Sequence, residues 1–133
     1  MSTIPESGYK IQNVIILESY FKREPNIDFN LKIENVIDLR NGHQQTPEGV
    51  FVVEVEANLR GLQNETNFQC YEAKMKIIGV FEKSGEPALS DDVFVKVNAP
   101  AIIFPFVREH FATLALKAAI GNVLLPPLNF TRQ

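Results

Sequence analysis

The sequence predicts an α+β fold in which a four-stranded antiparallel sheet precedes a short and a long C-terminal helix. Four segments alternate polar and apolar residues, a period typical of half-buried strands. Burial on one face favours antiparallel over parallel pairing. From residue 90 onward the period becomes helical, and residues 98–130 are the most apolar part of the chain. With 133 residues, we expect a single domain over 1–133.

Polar turn segments separate the four predicted strands. The first strand, YKIQNVIILESYFKR, covers residues 9–23 and is long enough to require a bulge or a strong twist. The others cover 29–39, 50–60 and 68–83, and Pro, Gly or Asn residues occur in the connections REPNID, RNGHQQTPEG and GLQNET. Gly79, late in the fourth strand, indicates a bulge or a close backbone approach.

Two helices are predicted after the sheet. Ser90 can cap a short helical turn that begins with Asp91 and Asp92. Pro105 suits a first helical turn, so we expect the long helix to run from there to Ile120 and to stop at Gly121.

The long helix has more apolar surface than one sheet face can cover. Its first apolar stripe consists of Val107, Phe111, Leu114 and Ala118. A second strip of mostly small residues consists of Ala112, Ala115, Leu116 and Ala119. We therefore expect the first stripe to face the core and the second to form an interface between subunits. The alternative is a helix fully buried within one monomer.

Composition and charge exclude several classes of protein. A net charge of −3 gives no reason to expect nucleic acid or an anionic membrane surface as a partner. One cysteine, Cys70, rules out an internal disulfide framework. The start MSTIPESGYK lacks the features of a signal peptide, which predicts a cytoplasmic location. Arg108, Glu109 and His110 interrupt the apolar run, so no membrane span or insertion is predicted.

No catalytic, metal or cofactor site is predicted, and we do not expect an enzyme. The chain has no phosphate-binding glycine pattern and no HExxH, GxSxG or CxxC motif. His43 lies in a glutamine-rich loop and His110 on the polar helix face. Four aromatic side chains stand near element ends, where they line a groove or belong to an ordinary core edge; both interpretations stay open. They are Phe21, Phe29, Phe94 and Phe104.

Two C-terminal blocks carry a family resemblance. NAPAIIFPFVRE (98–109), followed by LLPPLNF (124–130), resembles the C-terminal signature of the SecB family of protein-export chaperones. YKIQNV from Tyr9, and Gly79 with Phe81, match further positions typical of that family. The resemblance implies a homotetramer built as a dimer of dimers. Such proteins bind unfolded preproteins without ATP and pass them to the motor SecA.

The resemblance also implies a long apolar groove for the bound chain. The residues that we assign to it are Phe21, Phe29, Tyr71, Met75, Phe94 and Phe104. For contact with the basic tail of SecA, the resemblance points to acidic residues on the exposed sheet face. Glu18 matches one such position, but Lys22 stands where a second acid is expected, which predicts weak binding. Two alternatives remain: a SecB-like chaperone that stabilises the antitoxin of a toxin–antitoxin pair, and a small-molecule-binding α+β domain.

Overall fold

Four long strands form one antiparallel sheet in the order β1-β4-β3-β2, and a helical segment crosses one face of it. This computed structural model describes residues 8–85, 89–121, 123 and 125–126. The strands are β1 (Tyr9–Arg23), β2 (Glu34–Gln45), β3 (Val50–Gln63) and β4 (Phe68–Lys83). The helical segment comprises α1 (Asp91–Val93), a π-helical turn (Phe94–Asn98) and α2 (Ala99–Lys117). The predicted fold class is confirmed.

The core lies between α2 and the two central strands, β3 and β4. Alternate residues of these strands face the helix and are almost completely buried, as period-two patterning requires. From the sheet the core takes Val53, Val55, Ala57, Met75 and Ile77, and from α2 it takes Ile103, Val107 and Phe111. The edge strand β1 lies beside this core and contributes less to it, since most of its apolar side chains remain exposed.

Strands β1 and β4 have the predicted bounds, and β3 runs three residues past its predicted end at 60. Strand β2 differs at both ends: it continues to Gln45, so residues 40–45 of the predicted turn RNGHQQTPEG belong to the strand. Strand β1 carries two register shifts, between Ile11 and Asn13 and between Ile16 and Glu18, so the predicted irregularity is confirmed. The second strand begins at residue 34, and the predicted start at 29 is wrong. Alternating apolar residues continue upstream, but the Asp28 carbonyl accepts from Leu31 N at 3.2 Å and closes a turn there.

The long helix starts earlier and ends sooner than the sequence predicts. Ser90 caps α1 as expected, its Oγ accepting from Val93 N at 3.2 Å. The helical segment then continues, so Pro105 lies inside α2 and not in its first turn. Pro105 and Ala101 are both exposed, so water can satisfy the carbonyl of residue 101 that Pro105 leaves without a donor. Near the other end, Ala119 adopts a positive φ of 56°.

The end of α2 is a Schellman-type turn. Ile120 N donates to the Ala115 carbonyl at 3.0 Å, and Ala119 occupies the left-handed position between them. Alanine is unusual there, which explains why the sequence placed the stop at Gly121. None of the helices in the described ranges is long and apolar enough to cross a lipid bilayer.

Candidate functional site

An aromatic cluster occupies the end of the sheet where β1 finishes. We call Phe21, Tyr71 and Phe111 the aromatic cluster. The Phe21 and Tyr71 rings stack in parallel with centroids 5.6 Å apart, and the Phe111 ring lies 5.6 Å from that of Tyr71. The Tyr71 hydroxyl donates to Oδ1 of Asn35, and burial raises the pKa of Tyr71. Three rings from β1, β4 and α2 thus form a packed apolar cluster with one neutral hydroxyl, in which Tyr71 and Phe111 are buried and Phe21 is half-buried.

Residues 24–33, here called the β1–β2 loop, lie over this end of the sheet. Ile27 and Ile33 are partly buried against the core, whereas Phe29 is 55% exposed. The guanidinium of Arg23 lies 5.8 Å from the centre of the Phe29 ring. Its Nη1 donates to the carbonyls of Glu24 at 2.8 Å and Pro25 at 3.0 Å. An arginine at the strand end therefore shapes the start of the loop and supports its exposed ring.

The opposite end of β1 is closed by a second group of rings. Tyr9 stacks on Phe94 with centroids 3.8 Å apart, and Phe81 meets Phe94 edge-on at 5.1 Å. The Tyr9 hydroxyl donates to Asp91 Oδ1 at 2.6 Å. Burial and this bond to Asp91 raise the pKa of Tyr9 to about 12, while Tyr9 and Lys83 lower that of Asp91. This group fastens the start of β1 to the start of the helical segment.

Between these ends, α2 runs beside β1 in the same direction. Ile103 lies against Gly79, the partner of Val14, so the neighbour that comes close to Gly79 is a helix side chain and not a second backbone. Further along, His110 Nε2 and Ser19 Oγ are 2.7 Å apart. The helix crosses mainly β3 and β4, which leaves the helix-facing side of β1 uncovered.

This uncovered strip, which we call the β1–α2 surface, is apolar. Register places Ile11 and Ile16 on the helix-facing side of β1, opposite buried Phe81 and Ile77. Both isoleucines are nearly half exposed. Beside this strip, on α2, lie the exposed residues Ile102 and Phe106, about two turns and one turn before His110 respectively. A strip of this kind along a sheet edge is a candidate for protein contact.

The other face of the sheet is polar and nearly charge-balanced. The ammonium of Lys74 lies 3.6 Å from a carboxylate oxygen of Glu18 and 3.4 Å from one of Glu56. Lys22 lies opposite Glu72 in the register of β1 and β4. Acidic groups on this face therefore stand next to basic ones, and the predicted contact residue Glu18 is partly neutralised.

A large cleft also lies on this outer face. It has a volume of about 710 Å³ and is open to solvent. Side chains of all four strands line it, among them Tyr20, Val36, Asp38, Arg60, Glu72 and Lys74. None of the predicted groove residues contributes to it.

Two of the six predicted groove residues reach the surface, and the structure does not bring all six together. Phe29 is exposed, and Phe21 is half-buried. The other four are at most 3% exposed in the monomer: Tyr71, Met75, Phe94 and Phe104. Phe21 and Tyr71 belong to the aromatic cluster, whereas Phe94 packs at the opposite end of the sheet.

The four residues of the predicted subunit interface also separate. Ala115 is fully buried in the monomer, because the stripe of α2 that faces the sheet includes Ile103 and Phe104 and is broader than predicted. Ala119 lies beyond the helix end. Leu116 is 58% exposed and Ala112 partly exposed, so the predicted interface now rests on these two residues.

Sequence reasoning missed the β1–α2 surface and the buried amide of Gln63, which donates to carbonyls of the β1–β2 loop. The signal for the surface was the run VIIL at 14–17, which interrupts the alternation of β1.

Cys70 is buried, which raises the pKa of its thiol. No group of three or more His, Cys, Asp or Glu side chains in the described ranges is placed to hold a metal ion.

Comparison with known proteins points to one family. The family model described as preprotein translocase subunit SecB matches residues 12–132. The protein-export protein SecB of Rickettsia rickettsii (strain Iowa) is 27% identical over 108 residues, which are 81% of this chain and 65% of that protein. That of Methylobacillus flagellatus is 32% identical over 95 residues, 71% of this chain and 59% of that protein. The chain therefore covers less than two thirds of the length of either relative.

A solved structure shows the same fold. The Mycobacterium tuberculosis SecB-like chaperone, in complex with a ChAD peptide from the HigA1 antitoxin, superposes with a TM-score of 0.79. The likeness covers 91% of both chains at 14% sequence identity.

Proposed function

Because this chain belongs to the SecB family, we propose that it is a chaperone that holds unfolded polypeptides without ATP. The observation that carries the proposal is the aromatic cluster at the end of the sheet, where Phe21 is half-buried and Phe29 on the neighbouring loop is 55% exposed. The fold also leaves a second apolar surface uncovered. Ile11, Ile16 and Leu17 on β1, with Ile102 and Phe106 on α2, are each more than 40% exposed. Soluble monomers rarely expose large continuous apolar patches unless the patches bind something.

The client site that we propose is the aromatic cluster, with the exposed ring of Phe29 on the β1–β2 loop at its edge. Rings offer apolar contact area with little loss of side-chain freedom, and they require no particular client sequence. Phe21 and Phe29 form its accessible part, with Tyr71 beneath. Edge strands also present free main-chain groups, to which an extended client can bind by strand addition. Such a site needs no catalytic group and no cofactor.

The β1–α2 surface is proposed as a contact between copies of this chain. A two-fold axis can bring the same strip of two subunits together as an isologous contact, which would cover the free edge of β1. A dimer of dimers needs a second, different contact, and the exposed side of α2 with Ala112 and Leu116 is available for it. The homotetramer and a cytoplasmic location both belong to this proposal.

Two kinds of client are considered. Export-bound preproteins would be handed to SecA, with Glu18 on the outer face as a contact residue. Lys74 already pairs with Glu18, and Lys22 adds a further positive charge, which disfavours a basic partner. This charge balance favours the second candidate, an antitoxin held by the same apolar site. A small-molecule-binding domain would need a closed pocket, whereas the cleft on the outer face is open to solvent.

Light scattering from an aggregating client tests the proposal. Unfolded client is diluted into buffer with and without a fourfold excess of the chain, in the presence and absence of ATP. We expect suppression that does not depend on nucleotide. Absence of suppression, or suppression only with ATP, would refute the proposed function.

A further inference from the structure

Gln63, at the end of β3, is the one polar side chain of the described residues that is almost completely buried, with 2% of its surface exposed. Its Nε2 donates to the Asp28 carbonyl at 2.7 Å and to the Leu31 carbonyl at 3.4 Å. Both acceptors belong to the β1–β2 loop. A buried amide is costly unless it is hydrogen-bonded, so the side chain and the loop depend on each other.

The loop has few other attachments. It contains no strand or helix, and its first residue, Glu24, donates its N–H to the Cys70 carbonyl at 2.8 Å. Ile27 and Ile33 pack partly buried against the core. Ile33 and the Tyr71 ring both lie against Gly61, which places this isoleucine beside the aromatic cluster. The loop therefore offers the cluster what an unfolded client would offer: aliphatic side chains on an irregular backbone.

We propose that the β1–β2 loop is an internal competitor of the client, with Ile27 and Ile33 covering the aromatic cluster and Gln63 holding the loop in place. The inference rests on the proposed function and specifies how its site is regulated. A client then binds only to the fraction of molecules whose loop has lifted, and its apparent Kd is the intrinsic Kd divided by that fraction. Gln63 acts here as a positioning residue, and the burial of Tyr71 is a property of the covered state.

Gln63→Leu tests whether Gln63 holds the loop in place. The substitution nearly preserves side-chain volume and removes both hydrogen bonds that the amide donates to the loop. Two neutral hydrogen bonds of ordinary strength predict a Kd about 5- to 150-fold lower, mainly through faster association. The probe is fluorescein-labelled α-lactalbumin, reduced and carboxymethylated so that it stays unfolded. Amide hydrogen exchange of residues 26–32 should accelerate in the same variant. Gln44→Leu, on the exposed outer face of β2, is the matched control and should change neither quantity.

Ile27→Ser provides a second route that leaves Gln63 intact. It weakens the apolar contact of the loop and should also tighten binding of the probe, so the proposal stays testable if Gln63→Leu fails to fold. Faster hydrogen exchange of the loop with unchanged or weaker binding of the probe would refute the proposal that the loop competes with the client. The proposed chaperone function would not be affected by that result. Unchanged exchange in Gln63→Leu would refute the role of Gln63 in holding the loop. A wild-type chain that does not bind the probe would instead refute the proposed function, and the competitor with it.

Discussion

Gly61 provides the sharpest test of how the aromatic cluster is packed. It lies opposite Tyr71 in the register of β3 and β4. A methyl group at this position would lie 2.5 Å from Tyr71 Cδ2, closer still to Cε2, and 3.0 Å from Ile33 Cγ2. Carbon atoms pack at about 3.5–4.0 Å, so the Tyr71 ring would have to move by about 1 Å or more. Phe21 and Phe111 pack around that ring and restrict the movement.

The expected cost of Gly61→Ala follows from these contacts. Overpacking a filled core costs about 1–3 kcal/mol. The smaller conformational freedom of alanine in the unfolded chain returns about 0.4–1 kcal/mol. The net expectation is a loss of about 1–2 kcal/mol, and for 133 residues each kcal/mol lowers Tm by about 4 °C. We therefore expect Tm to fall by about 4–8 °C in a thermal melt followed by circular dichroism.

Gly42→Ala is the matched control, since the nearest atom to a methyl group there is Glu54 Oε2 at 4.0 Å. It should leave Tm unchanged or raise it slightly. If Gly61→Ala melts within about 1 °C of the wild type and of this control, the Tyr71 ring is not packed as described. The account of a closed cluster beneath the loop would then be wrong.

Three further predictions concern assembly, pH and SecA. Ile16→Asp puts a charge into the β1–α2 surface and should reduce the sedimenting mass, whereas Ile15→Asp on the opposite face should not; equal masses would contradict the proposed contact. Asp91 has a lowered pKa, so its contribution to stability is present above pH 3.8 and is lost as pH falls below it. Asp91→Asn should therefore be less stable than wild type at pH 7 but not near pH 2, and a constant difference would argue against the bond to Tyr9. Lys22→Glu should strengthen binding to the basic SecA tail at low salt, with the gain fading as salt rises; an unchanged affinity would remove the outer face as the contact.

Local sequence patterns were sufficient to predict β1, β4 and the Ser90 cap. Strand alternation and helix capping each depend on residues that are close together in the sequence. The start of β2 could not be read in this way. Residues 29–33 alternate as a strand does, but the turn closed by Asp28 and the amide of Gln63 hold them outside the sheet. Gln63 is distant in sequence, and the turn at Asp28 depends on backbone conformation. Hydrophobic periodicity carries information on neither.

The functional surfaces were predicted only in part, because they also depend on tertiary packing. Helical periodicity identifies the stripes of α2, but it does not say which stripe the sheet will cover, and Ala115 turned inward. Of the four rings at element ends, Phe29 is exposed and Phe21 half-buried, whereas Phe94 and Phe104 are buried. The sequence pattern could not show that the loop carrying Phe29 also helps to cover Tyr71, since that depends on tertiary packing across Gly61.

Site-specific photo-cross-linking tests client binding most directly. A benzophenone side chain is introduced at Phe29, and in a second variant at Gln44 on the outer face of β2. Each is irradiated with reduced, carboxymethylated α-lactalbumin in the absence of nucleotide. The account predicts cross-links from position 29 that a tenfold excess of unlabelled unfolded client (an assay choice) removes, and background from position 44. Equal cross-linking at both positions, or cross-linking at 29 only after ATP is added, would contradict it.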